Sequence, residues 1–514
     1  MLMTAADYRE SLRRYKPRVF INGAAVASVA DEPLLAPGVA GVGVTYDFAL
    51  QPEHVPIMTA RQGTSGKTVN RMLHIDRSSQ DLLDKLEAVR LVCRTSGCAQ
   101  RYLTHDALNG LFQATRLTDD RHGTDYSQRF LNYLHEVQDQ DLTLGIAMTD
   151  AKGDRSKRPG LQANADVYVH IKERRRDGIV IRGTKAIVTG APYMHEFLVM
   201  PCRTHVPVDK DFAVCCAVPV DAPGVTIVAR PAGRPGDAAA KFSAKYGQSV
   251  GVVMFDDVFV PHDRVFLAGE TEEGGFLTTS YATHHRHSCI GARAGFGDLL
   301  IGAGALMIEA NGLDAEKHAH IREAMVELIT ITESFYACGV ASSVYCTKDP
   351  AGSVMPDAVF SNIGKLLLAT KIYDMHRVAH YVSGGLIVAL PGPDEDHNPE
   401  TRASLAAVMG GRPDIPAEQR AEVARLIEDL TVSHEAGWYS VISLHGGGSP
   451  EAMKREIWRN YPVMEKAELV ENLLGRDLVD QGQRVSKQPG RCCASGCEVP
   501  TPSAAPMLGD PMPS

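Results

Sequence analysis

The chain has 514 residues, of which 44% are hydrophobic, and a formal net charge of −9. This length and composition allow a large buried core and predict two or three domains, and no basic stripe with interleaved aromatic residues indicates a nucleic-acid surface. The 11 cysteines form no regular disulfide framework, no apolar run has the length of a membrane-spanning helix, and the N-terminus lacks the pattern of a signal peptide. We therefore expect a soluble, cytoplasmic protein with reduced thiols that binds neither nucleic acid nor membrane.

The pattern of apolar residues changes twice along the chain. The first part of the chain has helical periodicity, and the middle part has short runs of apolar and β-branched residues. Helical periodicity then returns in the third part. The helical segments include residues 80–103, 126–140, 298–309 and 321–345, and the β-type runs include residues 177–188, 212–220 and 250–260. From these changes we predict an α+β fold.

The predicted fold has four parts. They are a helical N-terminal domain, a central β domain, a C-terminal helical bundle and a tail, at residues 1–146, 147–275, 276–480 and 481–514. The tail is rich in Pro, Ser and Ala, a composition that cannot build a core, so we expect it to be disordered. Its three thiols, Cys492, Cys493 and Cys497, lack a fourth ligand nearby for a metal site.

A histidine and two cysteines have the residue types of a partial metal site. His285 and Cys289 are four residues apart in a helical stretch, so both would project from one face. If a metal site exists, Cys98, His285 and Cys289 would be its ligands. Cys93 would point about 140° away from Cys98 in an unbroken helix. The alternative is that Cys93 and Cys289 are small core residues, as free cysteines usually are.

Two polar stretches in the predicted β domain suit a flat heterocycle that carries a phosphate. Residues 148–155 form a polar loop whose amides and hydroxyl can bond a ring edge, while Arg155 can meet a phosphate or a carbonyl. Residues 182–191 read as a strand that ends in a polar turn. Each stretch alone is equally consistent with an ordinary turn.

These two stretches, with residues 8–12, 18–23 and 255–261, resemble the motifs of one flavoprotein family in the same order. The family contains the 4-hydroxyphenylacetate 3-monooxygenases and the 4-hydroxybutyryl-CoA dehydratases, and the resemblance spans about residues 3–475. It implies an acyl-CoA-dehydrogenase-like fold: a helical N-terminal domain, a central β-barrel-like domain and a C-terminal four-helix bundle. It also implies a homotetramer, with flavin bound between the domains and subunit contacts that close the flavin site.

The resemblance also implies particular cofactor contacts. The expected flavin-binding residues are Thr149, Asp154, Arg155, Lys185, Thr189, Gly190 and Gly385. Close backbone approach is expected at Gly384 and Gly385 and at the glycine-rich turn of residues 445–450, where a helix cap or a tight turn is the alternative.

The dehydratase branch of the family is only partly matched. Dehydratases hold a [4Fe–4S] cluster with three cysteines and one histidine; Cys98 matches the first cysteine and His285 the histidine. Tyr102 and Ala292 stand at the other two cysteine positions and cannot supply thiolates. The positions of two catalytic glutamates and one lysine hold Val250, Ile442 and Arg293. The resemblance therefore argues against an ordinary cluster and against cluster-dependent dehydration.

The monooxygenase branch is also matched with changes. There, an arginine and a tyrosine four positions later bind the phenolic substrate; Arg101 matches, and His105 replaces the tyrosine. Asp150 replaces a histidine of the flavin loop. We predict catalytic roles for Arg101, Tyr102, His105, Asp150 and His285. Arg101 would anchor an anionic or hydroxylated substrate, a histidine would donate or take a proton, and Asp150 would orient it.

The resulting prediction is a two-component flavin-dependent monooxygenase. Nothing in the sequence supplies a nicotinamide site, so reduced FAD (or FMN) would come from a separate flavin reductase. With O2, the enzyme would hydroxylate or oxidise a small substrate, phenolic and aromatic ones included, through a C4a-(hydro)peroxyflavin. The alternatives are an acyl-CoA dehydratase or isomerase with an absent or altered cluster, and a flavin-binding protein without turnover.

Overall fold

The computed structural model describes residues 2–98 and 100–475. The predicted tail and its three cysteines lie outside these residues. Internal contacts divide the chain into a large unit that ends at Ile457 and a second unit that begins at Trp458. The four-part division stays a prediction.

Helices occupy both ends of the described chain. They are α1 (Ala5–Leu12), α2 (Ala36–Asp47), α3 (Val55–Met58), α4 (Ser79–Ser96), α5 (Tyr102–His122), α6 (Tyr126–Asp139), α7 (Thr271–Ala310), α8 (Ala319–Val344), α9 (Ala358–Ser383), α10 (Arg402–Met409), α11 (Ala417–Thr431), α12 (His434–His445), α13 (Pro450–Asn460) and α14 (Val463–Leu473).

Most strands lie between the two helical regions. They are β1 (Val19–Ile21), β2 (Ala24–Ala25), β3 (Thr59–Arg61), β4 (Thr68–Asn70), β5 (Leu144–Ala147), β6 (His170–Arg174), β7 (Gly178–Thr189), β8 (Glu196–Val199), β9 (Val214–Pro219), β10 (Val225–Ala229), β11 (Val250–Pro261), β12 (Val265–Ala268), β13 (Thr347–Lys348) and β14 (Val354–Met355). This distribution confirms the predicted α+β fold class.

The central strands form two sheets. A six-stranded sheet has the order β2-β1-β10-β11-β7-β6, and a four-stranded sheet has the order β12-β9-β8-β5. Side chains of β11 alternate between buried and exposed, except around Asp257, whose φ of 56° marks an irregularity in its pairing with β7. An isolated bridge pairs Asp150, after β5, with Lys185 of β7. This bridge fixes the polar loop after β5 against the larger sheet.

The segment predicted as one helix over residues 80–103 is two helices. Ser78 caps the start of α4 by accepting a hydrogen bond from the Asp81 amide, and Gly97 ends it with a φ of 70°. A side chain at Gly97 would place Cβ 2.3 Å from the hydroxyl of Tyr439. Helix α5 then starts in a new direction, which determines where Cys98 and Tyr102 lie.

Helix α7 is the centre of the helical core. It spans 40 residues and packs against α4, α5, α8, α9 and α11. Contrary to our reading of the apolar runs, both α7 and α8 are long and apolar enough to cross a membrane by length and composition. In α7, however, 67% of the most apolar window is buried inside the protein. Its apolar residues are therefore used in core packing.

Two glycines of α7 give a matched test of this packing. A Cβ at Gly295 would lie 2.5 Å from the Arg90 carbonyl oxygen and 2.6 Å from the Arg94 amide nitrogen, both on α4. Gly295→Ala should therefore lower the free energy of unfolding by about 1–3 kcal/mol. Gly302→Ala, on the same helix with open space around its Cβ, should raise it by about 0.5–1 kcal/mol. Urea denaturation measures both changes, and equal effects would contradict the close α4–α7 contact.

Candidate active site

A buried group of charged and polar side chains lies where α4, α5, α7 and α9 meet. Its members are Asp76, Lys85, His105, Asp106, His285, Ser288, Cys289, Arg293 and Lys365. Buried charges are expensive unless they are paired, so such a concentration marks a functional site more often than a structural one.

Asp106 is the centre of this group. Its carboxylate accepts a hydrogen bond from His285 Nδ1 at 3.1 Å and another from the Ser288 hydroxyl at 2.6 Å. The Lys85 ammonium lies 3.7 Å away and donates to Ser288 at 3.0 Å. Burial alone would raise the pKa of Asp106, but Lys85 and the two neighbouring histidines outweigh it and hold the pKa well below its usual range. Asp106 is therefore a permanent anion that orients His285.

His285 and Cys289 form a second pair on the face of α7 that the i, i+4 spacing predicted. His285 Nε2 lies 3.6 Å from Cys289 Sγ. Burial opposes charge on His285, but Cys289 and Asp106 outweigh it and raise its pKa to about 10. Burial likewise raises the pKa of Cys289, whereas His285, Lys365 and Arg293 lower it further, so the net pKa falls. The two shifts favour a protonated imidazole and a thiol that loses its proton more readily than usual.

Cys98 also lies in this group, beside Tyr102 and Cys93. Its thiol is 3.3 Å from the Tyr102 hydroxyl, and the Tyr102 ring stacks on His285 at 6.1 Å between centroids. A hydrogen bond with Cys93 lowers the pKa of Cys98 to about 6, against the effect of burial. The two cysteines meet because the helix breaks at Gly97. In the described residues, no three His, Cys, Asp or Glu side chains are grouped as metal ligands.

The predicted catalytic residues do not all share this group. His105 does, since its Nε2 lies 3.2 Å from Asp76 and its Nδ1 lies 3.6 Å from Asp106. Burial lowers the pKa of His105, but these carboxylates outweigh it and the net pKa rises. His105 is therefore a partner of two carboxylates. The sequence did not predict this pairing.

Arg101 is held elsewhere, in a fully buried structural contact. Its Nη2 donates to the carbonyl oxygens of Asp141 at 3.0 Å and Leu142 at 3.2 Å, and it forms an ion pair with the Asp141 carboxylate. The guanidinium also stacks over the Tyr46 ring at 3.9 Å. Its Nε and Nη1 have no hydrogen-bond partner, so a ligand role stays a prediction.

Asp150 and Lys185 form an ion pair of 2.6 Å in the β region. Lys185 also donates to the carbonyl oxygens of Met148 at 2.9 Å and Met200 at 2.8 Å. An ammonium has three N–H donors, so all those of Lys185 are already used within the protein. Asp150 additionally accepts from the Cys202 thiol at 2.7 Å. In this arrangement the pair fixes the loop that carries Thr149, rather than offering a free charge to a cofactor or to His285.

Other predicted flavin contacts fit a cofactor better. Arg155 is exposed and makes no ion pair with any described residue, so its guanidinium is available to a phosphate. Thr149 and Thr189 are half-buried, whereas Asp154 is exposed and accepts hydrogen bonds from Ser156.

The side-chain amide of Gln100 lies beside the turn after β7 and has no hydrogen-bond partner. Gly190 has a φ of 72°, and a Cβ there would lie 2.7 Å from Gln100 Oε1. Gln100 is buried, and neither atom of its amide has a hydrogen-bond partner. An amide left without a partner beside a backbone turn suits the polar edge of a flavin ring. Together with Arg155, the chain therefore has residues that fit a flavin.

Within the single chain, the two predicted glycine sites differ in how closely their backbone approaches other residues, and approach to a flavin or to a neighbouring subunit stays a prediction. At Gly447, with a φ of 74°, a Cβ would lie 3.2 Å from His285 Cδ2 and 3.8 Å from Lys365 Cε. At Gly384 and Gly385 a Cβ would meet nothing. These two glycines instead have the positive φ values typical of a helix end.

Sequence reasoning missed Lys85, Asp106, Ser288 and Lys365. A signal was present for Lys85, because it stands on the same helical face as Leu82, Leu86 and Val89, where an apolar residue is expected. A charge at such a position needs a buried counter-charge. The sequence does not show which residue supplies it.

Comparison with known proteins agrees with this architecture. The family described as 4-hydroxyphenylacetate 3-hydroxylase matches residues 4–267 with its N-terminal part and residues 275–475 with its C-terminal part. The chain belongs to this family, as the resemblance of its motifs indicated.

Relatives come from both branches of the family. The chain is 34% identical to the 4-hydroxybutyryl-CoA dehydratase/vinylacetyl-CoA-Δ-isomerase of Clostridium aminobutyricum, over 92% of this chain and 100% of that protein. It is 24% identical to the 4-hydroxyphenylacetate 3-monooxygenase oxygenase component of Thermus thermophilus, over 90% and 95%. An oxygen-tolerant archaeal 4-hydroxybutyryl-CoA dehydratase from N. maritimus superposes with a TM-score of 0.89 and 35% identity, covering 93% of this chain and 96% of that one.

Proposed function

We propose that this protein is the oxygenase component of a two-component, flavin-dependent monooxygenase that oxidises a small organic substrate, phenols included. The observation that carries the proposal is the Asp106–His285–Cys289 arrangement beside Tyr102 and Cys98. Two of the positions that would hold cluster cysteines in a dehydratase are a tyrosine and an alanine. A buried proton donor remains there in place of a ligand set.

The chain's own residues would supply proton transfer and positioning. Reduced FAD, when bound, supplies the electrons with which O2 is activated. Asp106 holds the His285 ring through Nδ1, and the proton on Nε2 is the one that His285 can donate. The rings of Tyr102 and Tyr281 stack with the imidazole, with centroids 6.1 and 5.4 Å away, and the His285 side chain is buried from water.

Flavin binding is proposed for residues of the loop after β5 and the turn after β7. Arg155 would meet a phosphate, and Thr149, Thr189 and Gly190 would meet the ring. Asp154 would support these contacts from the loop after β5, and Lys185 from strand β7. Gly385 would do so from a neighbouring subunit. We also propose a homotetramer, a separate flavin reductase as partner and a cytoplasmic location. The Thermus relative is an oxygenase component, which supports the existence of a second component.

A second candidate is an acyl-CoA dehydratase or isomerase with an absent or altered cluster. The specific observation in its favour is the 34% identity to the clostridial dehydratase over that protein's full length. Against it stand Tyr102, Ala292, Val250 and Ile442 at the positions of cluster ligands and catalytic glutamates. Because of these substitutions, we prefer the monooxygenase over the dehydratase or isomerase.

Metal analysis and oxygen uptake separate the candidates. We expect anaerobically purified protein to contain neither iron nor acid-labile sulfide, and its activity to be insensitive to iron chelators. With chemically reduced FAD, a panel of phenols should accelerate oxygen consumption and yield hydroxylated products. Iron and sulfide at cluster stoichiometry, with turnover of 4-hydroxybutyryl-CoA, would overturn the proposal. Oxygen uptake that no substrate changes would point to flavin binding without turnover.

A further inference from the structure

Two buried cations of the site have no carboxylate partner. Arg293 Nε donates to the Ser443 hydroxyl at 2.6 Å, and the Lys365 ammonium donates to the Ser443 carbonyl oxygen. Both side chains are almost completely buried. In the part of the chain that the structure describes, neither cation has an Asp or Glu oxygen within ion-pair distance, and Arg293 Nη1 has no hydrogen-bond partner.

Thiols rather than carboxylates face these charges. Besides His285, Lys365 and Arg293 lower the pKa of Cys289, and besides Cys93, Arg293 lowers that of Cys98, so the two thiols supply part of the negative charge. Arg286, a third cation nearby, donates to the Gly447 carbonyl oxygen and Asn362 and has Glu456 in its surroundings. Aromatic rings cover the other side of Arg293, with Tyr439 at 5.4 Å and Phe296 at 6.0 Å.

The charged form of Lys365 is disfavoured by its surroundings. Burial, Arg293 and Arg286 lower its pKa to about 8, although Cys289 acts in the opposite direction. Asp106 is not an ion-pair partner of these cations, because its carboxylate is already bound by His285, Lys85 and Ser288. Buried cations are normally neutralised by an anion.

We propose that Arg293 and Lys365 form an anion-binding site for the substrate, which takes an anionic carboxylate or phenolate oxygen between Arg293 Nη1 and the Lys365 ammonium. The inference rests on the proposed function, because it takes this buried group as the active site. It narrows the substrate class to organic anions. It assigns the anchoring role to these two residues instead of Arg101, whose charge Asp141 already balances. The backbone of Gly447 borders the site closely, since a Cβ there would lie 3.2 Å from His285 Cδ2 and 3.8 Å from Lys365 Cε.

Titration calorimetry of the full chain with FAD tests the proposal. The probes are 4-hydroxyphenylacetate, its neutral amide 4-hydroxyphenylacetamide, and 4-nitrophenolate. We expect one or both anions to bind at least about tenfold more tightly than the amide, and Lys365→Met or Arg293→Met to remove that preference. The control Lys371→Met lies on the same helix but is exposed and paired with Asp374, so it should change nothing. The two anions distinguish carboxylate from phenolate.

A stability measurement separates binding from a structural role. Without ligand, Lys365→Met should melt at the same or a higher temperature, because it removes a buried cation that has no carboxylate partner. A lower melting temperature, equal binding of the amide and the anions, or unchanged anion affinity in both variants would overturn the inference. Anion binding without any oxygen-dependent product would leave this site in place and refute the monooxygenase proposal instead.

Discussion

His285→Gln should lower oxygen-dependent turnover by about 10²–10⁴-fold, the range by which a positioned acid or base accelerates a reaction. Glutamine keeps a hydrogen-bond donor near Asp106 but cannot release a proton at working pH. Flavin affinity should be unchanged, because His285 is not among the proposed flavin contacts. Steady-state oxygen consumption with chemically reduced FAD measures the loss.

The pH profile gives an independent check on His285. Burial opposes its charge, but Cys289 and Asp106 raise its pKa to about 10. The donor form is therefore present below that value, and turnover should fall as pH rises through about 10. The fall should be absent in the residual activity of His285→Gln. An unaltered rate in this variant would remove His285 from the mechanism.

Asp106→Asn should lower the free energy of unfolding by about 3–5 kcal/mol, because it leaves Lys85 buried without its ion-pair partner. It should also reduce turnover, since His285 loses the carboxylate that orients it at 3.1 Å. The pKa of Asp106 is lowered in the folded protein. Its contribution is therefore fully present above the unfolded-state pKa of about 3.9 and is lost in acid.

Two variants complete this test by urea denaturation. Asp106→Asn combined with Lys85→Met removes both charges and should recover a large part of the lost stability. Glu327→Gln breaks the exposed ion pair with Arg377 and should cost no more than about 1 kcal/mol. If the Asp106 variant were no more destabilised than this surface control, the buried ion pair would not stabilise the fold.

The sequence predicted those parts of the site that depend on local geometry. The spacing of His285 and Cys289 places them on one helical face whatever surrounds them, and their contact is confirmed. The contact between Cys98 and Cys93 was excluded for an unbroken helix. It forms because Gly97 takes a positive φ and ends α4, a detail that periodicity does not reveal.

Contacts between distant segments were not predictable in the same way. Arg101 pairs with Asp141, which is 40 positions away, and Lys85 meets Asp106 from a different helix. Nothing in the local sequence selects these partners, because packing of whole helices brings them together. The fold class was easier to predict, since periodicity and ordered family motifs extend over most of the chain.

Labelled oxygen tests the central claim most directly. The full chain is incubated with chemically reduced FAD, ¹⁸O2 and each member of a panel of organic anions, which includes a phenolic carboxylate such as 4-hydroxyphenylacetate. The products are analysed by mass spectrometry. We predict a product that carries one labelled oxygen atom and that disappears in His285→Gln. Unlabelled product formed equally well under nitrogen, or turnover confined to acyl-CoA thioesters, would contradict the account.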